Sequence, residues 1–288
     1  MSTAATNAAS AGRGDFKVHT ADGIDLFVRW NRPANSKGTV LVVHGVGEHA
    51  GRWANLEKAL VDAGWSYYGY DHRGHGRSTG RRVHIDSWDN YLDDLNQVYT
   101  EVSAHAGQGK VFVYGHSMGA LIVSTWAAFR RPTVWGVILS AIPYRLAVKV
   151  PAVKIAAAKI LSGVVPTLAL ANEVDPAVLS HDEAVGKAYR LDPLVETKAT
   201  VRWGASFLKA IDAINARAGE MQTPFLIVHG TGDVIADSKG SEEFAAKAVS
   251  ADKTVKLYPG AFHEVHNEPP AERNKLFADV LGWLDARK

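Results

Sequence analysis

Cysteine is absent from the 288 residues of the chain. That excludes disulfides and thiolate metal sites, and it is compatible with a reducing cytoplasm. No run of about 18 uninterrupted apolar residues occurs, so a membrane-spanning helix is not expected. No block of like charges occurs either, and the formal charge of +2 is near balance, so nothing points to nucleic acid. There is no Walker lysine, no dinucleotide fingerprint and no internal repeat. The first fifteen residues, Met1 to Asp15, have neither the apolar core of a secretory signal nor the arginines of a transit peptide. Their composition predicts a disordered tail.

What the chain does have is an alternation of short apolar runs and amphipathic stretches from Phe16 onward. Strands are predicted at Ile24–Trp30, Gly38–Val43, Trp65–Tyr70, Lys110–Tyr114, Gly136–Ser140, Phe225–His229 and Thr254–Tyr258. Helices are predicted at Arg52–Ala63, Trp88–Ser103 and Arg273–Ala286. Gly38–Val43 is a continuous apolar run, suited to a sheet covered on both faces. Strands alternating with helices imply a mainly parallel central sheet flanked by helices.

The interval from Tyr144 to Ser206 breaks that rhythm. It is helix-prone, shows no convincing strand, and carries the apolar run Ala147–Leu170 interrupted by Lys149, Lys154 and Lys159. The reading is a helical cap at 144–206 inserted into a core of 16–143 and 207–288. The run suits a buried cap helix, or an apolar lid that touches acyl chains or a membrane surface.

The pentapeptide Gly115-His116-Ser117-Met118-Gly119 lies between a predicted strand and an apolar helix. A G-x-S-x-G in that position is a nucleophile elbow, a sharp turn that thrusts a serine hydroxyl outward. Serine is a weak nucleophile and needs a base, itself oriented by a third group. In this motif's chain order the acid and then the histidine follow the serine. Asp233 comes on the loop after Phe225–His229 and is preferred as the acid. Asp237 is its rival, but it directly precedes a helix, where capping is its expected task. Among twelve histidines, His263 alone follows the last strand directly, with His266 three residues on. The tetrahedral oxyanion needs two backbone donors. Met118 supplies one, at the positive end of the following helix. The loop His44-Gly45-Val46-Gly47 supplies the other, best from Val46.

The stretch His44-Gly45-Val46-Gly47-Glu48-His49-Ala50-Gly51-Arg52-Trp53 resembles a segment of the monoglyceride lipase family. So do Asp71–Ser78, the elbow, Asp233-x-x-x-Asp237-Ser238-Lys239-Gly240 and Gly260-Ala261-Phe262-His263. The resemblance runs from Val18 to the C-terminus, cap included. It implies an α/β-hydrolase fold and a cofactor-free, metal-free serine hydrolase that cleaves one fatty acyl ester from glycerol. It implies Ser117 as nucleophile, His263 as base, Asp233 as orienter, and Val46 and Met118 as the amide pair. It also implies that Glu48, Arg52, His116 and Tyr189 form the polar pocket for glycerol. Without the family, Glu48 and Arg52 could equally be a surface ion pair of little worth. The partners implied are a small lipid substrate and transient contact of the cap with a membrane, for a cytoplasmic protein. Other readings on the same scaffold are a lysophospholipase, a general carboxylesterase or thioesterase, an aminopeptidase, and a binding protein without turnover.

Overall fold

A computed structural model of the protein describes residues 11–107, 109–147, 160–172 and 174–287. Five residues, Thr39-Val40-Leu41-Val42-Val43, form the fully buried strand β3, and the reason is visible in where they point. Successive side chains of a strand face opposite ways. Val40 and Val42 join one apolar cluster with Trp53, Leu56, Phe112, Tyr114 and Leu276, whereas Leu41 and Val43 join the other with Val98, Val113 and Leu121. A strand with both faces covered must be apolar throughout.

The elements run β1 (Gly12–His19), β2 (Asp25–Arg32), β3, α1 (Ala54–Asp62), β4 (Ser66–Tyr70), α2 (Asp89–His105), β5 (Val111–His116), α3 (Met118–Phe129) and β6 (Gly136–Ser140). There follow β7 (Ala169–Ala171), α4 (Glu183–Leu191), β8 (Lys198–Thr200), α5 (Val201–Ala216), β9 (Phe225–Gly230), α6 (Ser238–Lys247), β10 (Lys253–Tyr258) and α7 (Pro270–Asp285). The main sheet has the order β1-β2-β4-β3-β5-β6-β9-β10. β1 and β2 pair antiparallel, as do β2 and β4, and every later neighbour is parallel. From β3 the chain steps one way to β4 and the other way to β5. The carboxyl ends of β3 and β5 therefore border the crevice where such sheets place their sites.

Three features depart from the sequence reading. Residues 11–15 are not tail: β1 starts at Gly12 and pairs along β2, with Gly12 opposite Arg32. Only Phe16 and Val18 of this edge strand contribute to the core, so its apolar signal was too thin to read. The interval expected to hold no strand contains β7 and β8, which pair antiparallel over three residues each. Pieces so short leave no periodicity. Helix α5 also runs through residue 206, where the cap was expected to end. Residues 148–159, with half of the apolar run and its three lysines, lie outside the described residues, as do residues 1–10.

Candidate active site

Strand β5 ends at His116, and Ser117 takes φ 51° and ψ −121° before α3 begins at Met118. Few residues with a side chain tolerate positive φ, and such outliers gather at functional sites. The turn closes because its glycines leave room. A Cβ on Gly119 would collide with the Val43 carbonyl oxygen, and one on Gly115 with the Gly119 carbonyl oxygen.

Asp233 sits in the loop after β9, and its Oδ2 accepts a hydrogen bond from His263 Nδ1 at 2.6 Å. Its Oδ1 accepts the backbone N–H groups of Ile235 and Ala236 at 2.8 and 3.0 Å. Burial pushes the Asp233 carboxyl up, but the facing His263 and the donors around it outweigh burial and hold it well below the usual range. Burial works against charge on His263 too, and the Asp233 carboxylate overrides it and raises the imidazole above 6.5. Asp237 lies apart from this pair and caps α6, accepting from the Lys239 N–H at 3.0 Å. His266 is fully buried and stacks on Trp53 at 4.0 Å between ring centroids.

Ser117 and His263 line one cavity of about 40 Å³. Val46, Glu48, Arg52, His116 and Tyr189 line it as well, so every site residue expected from the sequence, apart from the buried Asp233 and the Met118 amide, borders this cavity. Val174, Leu179 and Ile235 give it an apolar side. A larger recess of about 720 Å³, lined in part by Trp88, Phe129 and Lys209, holds none of these groups.

The loop after β3 is held in place by two buried histidines, His44 and His72. The His72 N–H donates to His44 Nε2 at 3.0 Å, so Nδ1 carries the hydrogen and donates to the Gly45 carbonyl at 2.7 Å. In a trans peptide the carbonyl and the next N–H point opposite ways. The Val46 N–H is therefore turned away from His44. Neither the Val46 nor the Met118 N–H has a hydrogen-bond partner among the described residues.

Glu48 and Arg52 are not a surface pair. Their side chains are 4% and 8% exposed, and they belong to a buried network. Glu48 Oε1 accepts the Gly45 N–H at 2.6 Å, and its Oε2 takes Arg52 Nη1 at 3.1 Å. The Arg52 fork also grips Glu264 with two bonds of 2.8 and 3.0 Å, and its guanidinium lies 4.8 Å over the Tyr189 ring. Burial raises Glu48, and Arg52 opposes that only in part. Burial acts on Glu264 too, but the two-point grip of Arg52 outweighs it and lowers this carboxyl. His116 is buried, which drives its imidazole well below 6.5 toward the neutral form. Its ring centroid is 4.8 Å from that of His263.

Sequence reasoning missed Glu264 and Glu268. Glu264 directly follows His263, which was the one signal available. Glu268 is fully buried and accepts from the N–H groups of Phe262 at 2.6 Å and His181 at 2.8 Å. It thereby ties the loop of His263 to the segment before α4. Among the described residues no group of acidic and histidine side chains is arranged to hold a metal ion, and no helix is long and apolar enough to cross a membrane.

Comparison with known proteins places this geometry. The family model described as serine aminopeptidase, S33, matches residues 34–270. Rat monoglyceride lipase is 34% identical over 271 residues, covering 93% of this chain and 89% of that protein. The crystal structure of a monoacylglycerol lipase from Paleococcus ferrophilus superposes with a TM-score of 0.83 at 30% identity, covering 91% of this chain and 99% of that one. A soluble variant of monoglyceride lipase from Saccharomyces cerevisiae, in complex with a substrate analog, gives 0.83 at 26% identity over 100% of this chain and 98% of that one.

Proposed function

The chain belongs to the monoglyceride lipase family of α/β-hydrolases, and from that premise we propose that it cleaves the fatty acyl ester of monoacylglycerols. Ser117 attacks the ester carbonyl while His263 takes its proton, and Asp233 holds the imidazole in the required tautomer and stabilises its charged form. The Val46 and Met118 N–H groups receive the oxyanion. His263 then gives the proton to the departing glycerol oxygen, and water next attacks the acyl-serine, passing its proton through His263 to Ser117 Oγ as the fatty acid leaves. No cofactor enters any step. The observation that carries the reading is Ser117 in its left-handed turn, lining the same cavity as a His263 already bonded to a buried aspartate.

We assign the polar floor made by Glu48, Arg52, His116 and Tyr189 to glycerol, and the apolar side of Val174, Leu179 and Ile235 to the acyl chain. A cavity this narrow suits one small polar head. It supports a substrate with one acyl chain rather than three. Both pocket carboxylates bond to Arg52, which leaves none free for the ammonium group of a peptide, so the aminopeptidase reading is not favoured. We keep the segment 144–206 as the cap, and its exposed Ile160, Val164, Leu168 and Leu170 support contact with acyl chains or a membrane surface.

The test is hydrolysis of monoacyl-, diacyl- and triacylglycerols and lysophospholipids by the purified chain, beside labelling by a fluorophosphonate. Fastest turnover of monoacylglycerols supports the proposal. Preference for lysophospholipids or triacylglycerols moves the function to another ester, and absence of both labelling and turnover makes the chain a binding protein.

A further inference from the structure

His229, next to last in β9, is fully buried and takes no part in the steps above. Its Nε2 lies 3.2 Å from Asp233 Oδ2 and 3.1 Å from the Ala236 carbonyl oxygen. Its Nδ1 lies 2.7 Å from Ser241 Oγ on α6. An ionised carboxylate and a carbonyl can only accept, so Nε2 carries the hydrogen. Nδ1 is then the acceptor, and the Ser241 hydroxyl donates to it. Asp233 Oδ2 thus receives two imidazole N–H groups, from His263 and from His229, while Oδ1 is held by backbone.

We propose that His229, its tautomer set by the two acceptors at Nε2 and its Nδ1 held by the Ser241 hydroxyl, is a positioning residue that pins the Asp233 carboxylate toward His263 and shares the charge of its Oδ2. The inference rests on the reading of Ser117, His263 and Asp233 as nucleophile, base and orienter. Two donors on one oxygen compete for its charge. Taking away His229 leaves more negative charge for His263, whose imidazolium is then better stabilised. The base therefore loses its proton at a higher pH. The other groups facing His263 stay in place under that substitution. They are Glu48 from the loop after β3, His116 from β5, and Glu264 and His266 from its own loop, with Arg52 behind Glu264.

The experiment measures kcat/KM against pH for a nitrophenyl ester with the full chain and the variants His229→Phe, His229→Gln and Ser241→Ala. In His229→Phe the acidic limb is expected to move toward alkaline pH by about half a pH unit, with kcat reduced and KM within about twofold of the parent. His229→Gln still offers an N–H to Oδ2 and returns the limb to its original position. Ser241→Ala leaves Nδ1 without its donor, which loosens the ring on Oδ2 and moves the limb the same way by a smaller step, and so keeps the test open if the phenylalanine variant does not fold. Folded variants that lose rate with the limb unmoved, or moved toward acid, overturn the proposal. Ser117→Ala in the same assay separates the two ideas. If it still turns over, the triad reading has failed; if it is dead while the limb stays put, only the role of His229 has.

Discussion

Replacing Arg52 by alanine removes the cation that bonds to two buried carboxylates, Glu48 and Glu264, whose side chains are 4% and 3% exposed. Breaking a buried ion pair by deleting one partner costs about 3–5 kcal/mol, because the remaining charge is stranded away from water. Here two carboxylates are stranded, and the stacking of the guanidinium on Tyr189 is lost as well. Against a total stability of about 5–15 kcal/mol for a domain, a loss of about 4 kcal/mol is severe and lowers Tm by about 10 °C. The pH dependence identifies the cause. In the parent, Glu264 is held below its ordinary 4.5, so its stabilising contribution is present above that value and is lost as pH falls through its folded pKa, whereas Glu48 is already raised to about 7 and is relieved as pH falls below that. In the variant both carboxyls lie above their ordinary values, so acid relieves them. The gap between parent and variant should therefore narrow as pH falls from 7.5 toward 4.5. Urea unfolding followed by tryptophan fluorescence reads both quantities. A loss under about 1 kcal/mol, or one that is the same at both pH values, refutes the reasoning, because simple loss of packing by the arginine stem would not respond to pH.

Four further outcomes follow from the same geometry. Ser117→Ala should abolish acyl-enzyme formation and lower turnover by several orders of magnitude, up to about 10⁶ as in other serine triads, with unfolding nearly unchanged; near-normal ester hydrolysis would remove the serine from the mechanism. Asp233→Asn and His263→Ala should cripple hydrolysis, whereas Asp237→Asn should keep most of it because Asp237 only caps a helix and pairs with Arg145; a reversed order within the aspartate pair would mean the acid is misassigned. The acidic limb of kcat/KM should have its midpoint above pH 6.5, since the base must be neutral and Asp233 raises it; a midpoint well below 6.5 contradicts the ion pair. Glu48→Gln keeps an acceptor for the Gly45 N–H, and it should impair monoacylglycerol cleavage more than cleavage of a nitrophenyl ester, with equal losses counting against the glycerol pocket.

The core of the sheet was legible because its signals are local. β3, β5 and β9 are apolar runs with a glycine within two residues of their carboxyl ends, Gly45, Gly115 and Gly230, so the loops that carry Val46, Ser117 and Asp233 could be read without knowing the fold. The same holds for His263, which needed only a final strand before it. β1 was not legible, because an edge strand with one wet face contributes only Phe16 and Val18 to the core. Glu264 was not legible as the partner of Arg52, because 212 residues separate them and no spacing rule spans that distance. His229 read as one more apolar-strand residue, and only the folded chain shows its ring against Asp233.

The missed residues share a function that single-residue motifs cannot display. Arg52 joins the loop after β3, through Glu48 and its bond to the Gly45 N–H, to the loop that carries His263, through Glu264. The loop of His263 is joined in turn to the segment before α4: the Glu264 N–H donates to the Leu179 carbonyl at 2.7 Å, and Glu268 takes the Phe262 and His181 N–H groups. The loop after β3, the loop of His263 and the apolar wall are thus parts of one bonded unit, in which one backbone hydrogen bond joins Leu179 to the residue after His263 and the Glu268 side chain makes the second link. Substitutions at Glu268 should accordingly act on kcat through the base, although Glu268 touches neither Ser117 nor Asp233. Burial sets what the Glu268 oxygens require. A carboxylate with no exposed surface must satisfy its oxygens within the protein, and Glu268 does so only if the two segments stay together.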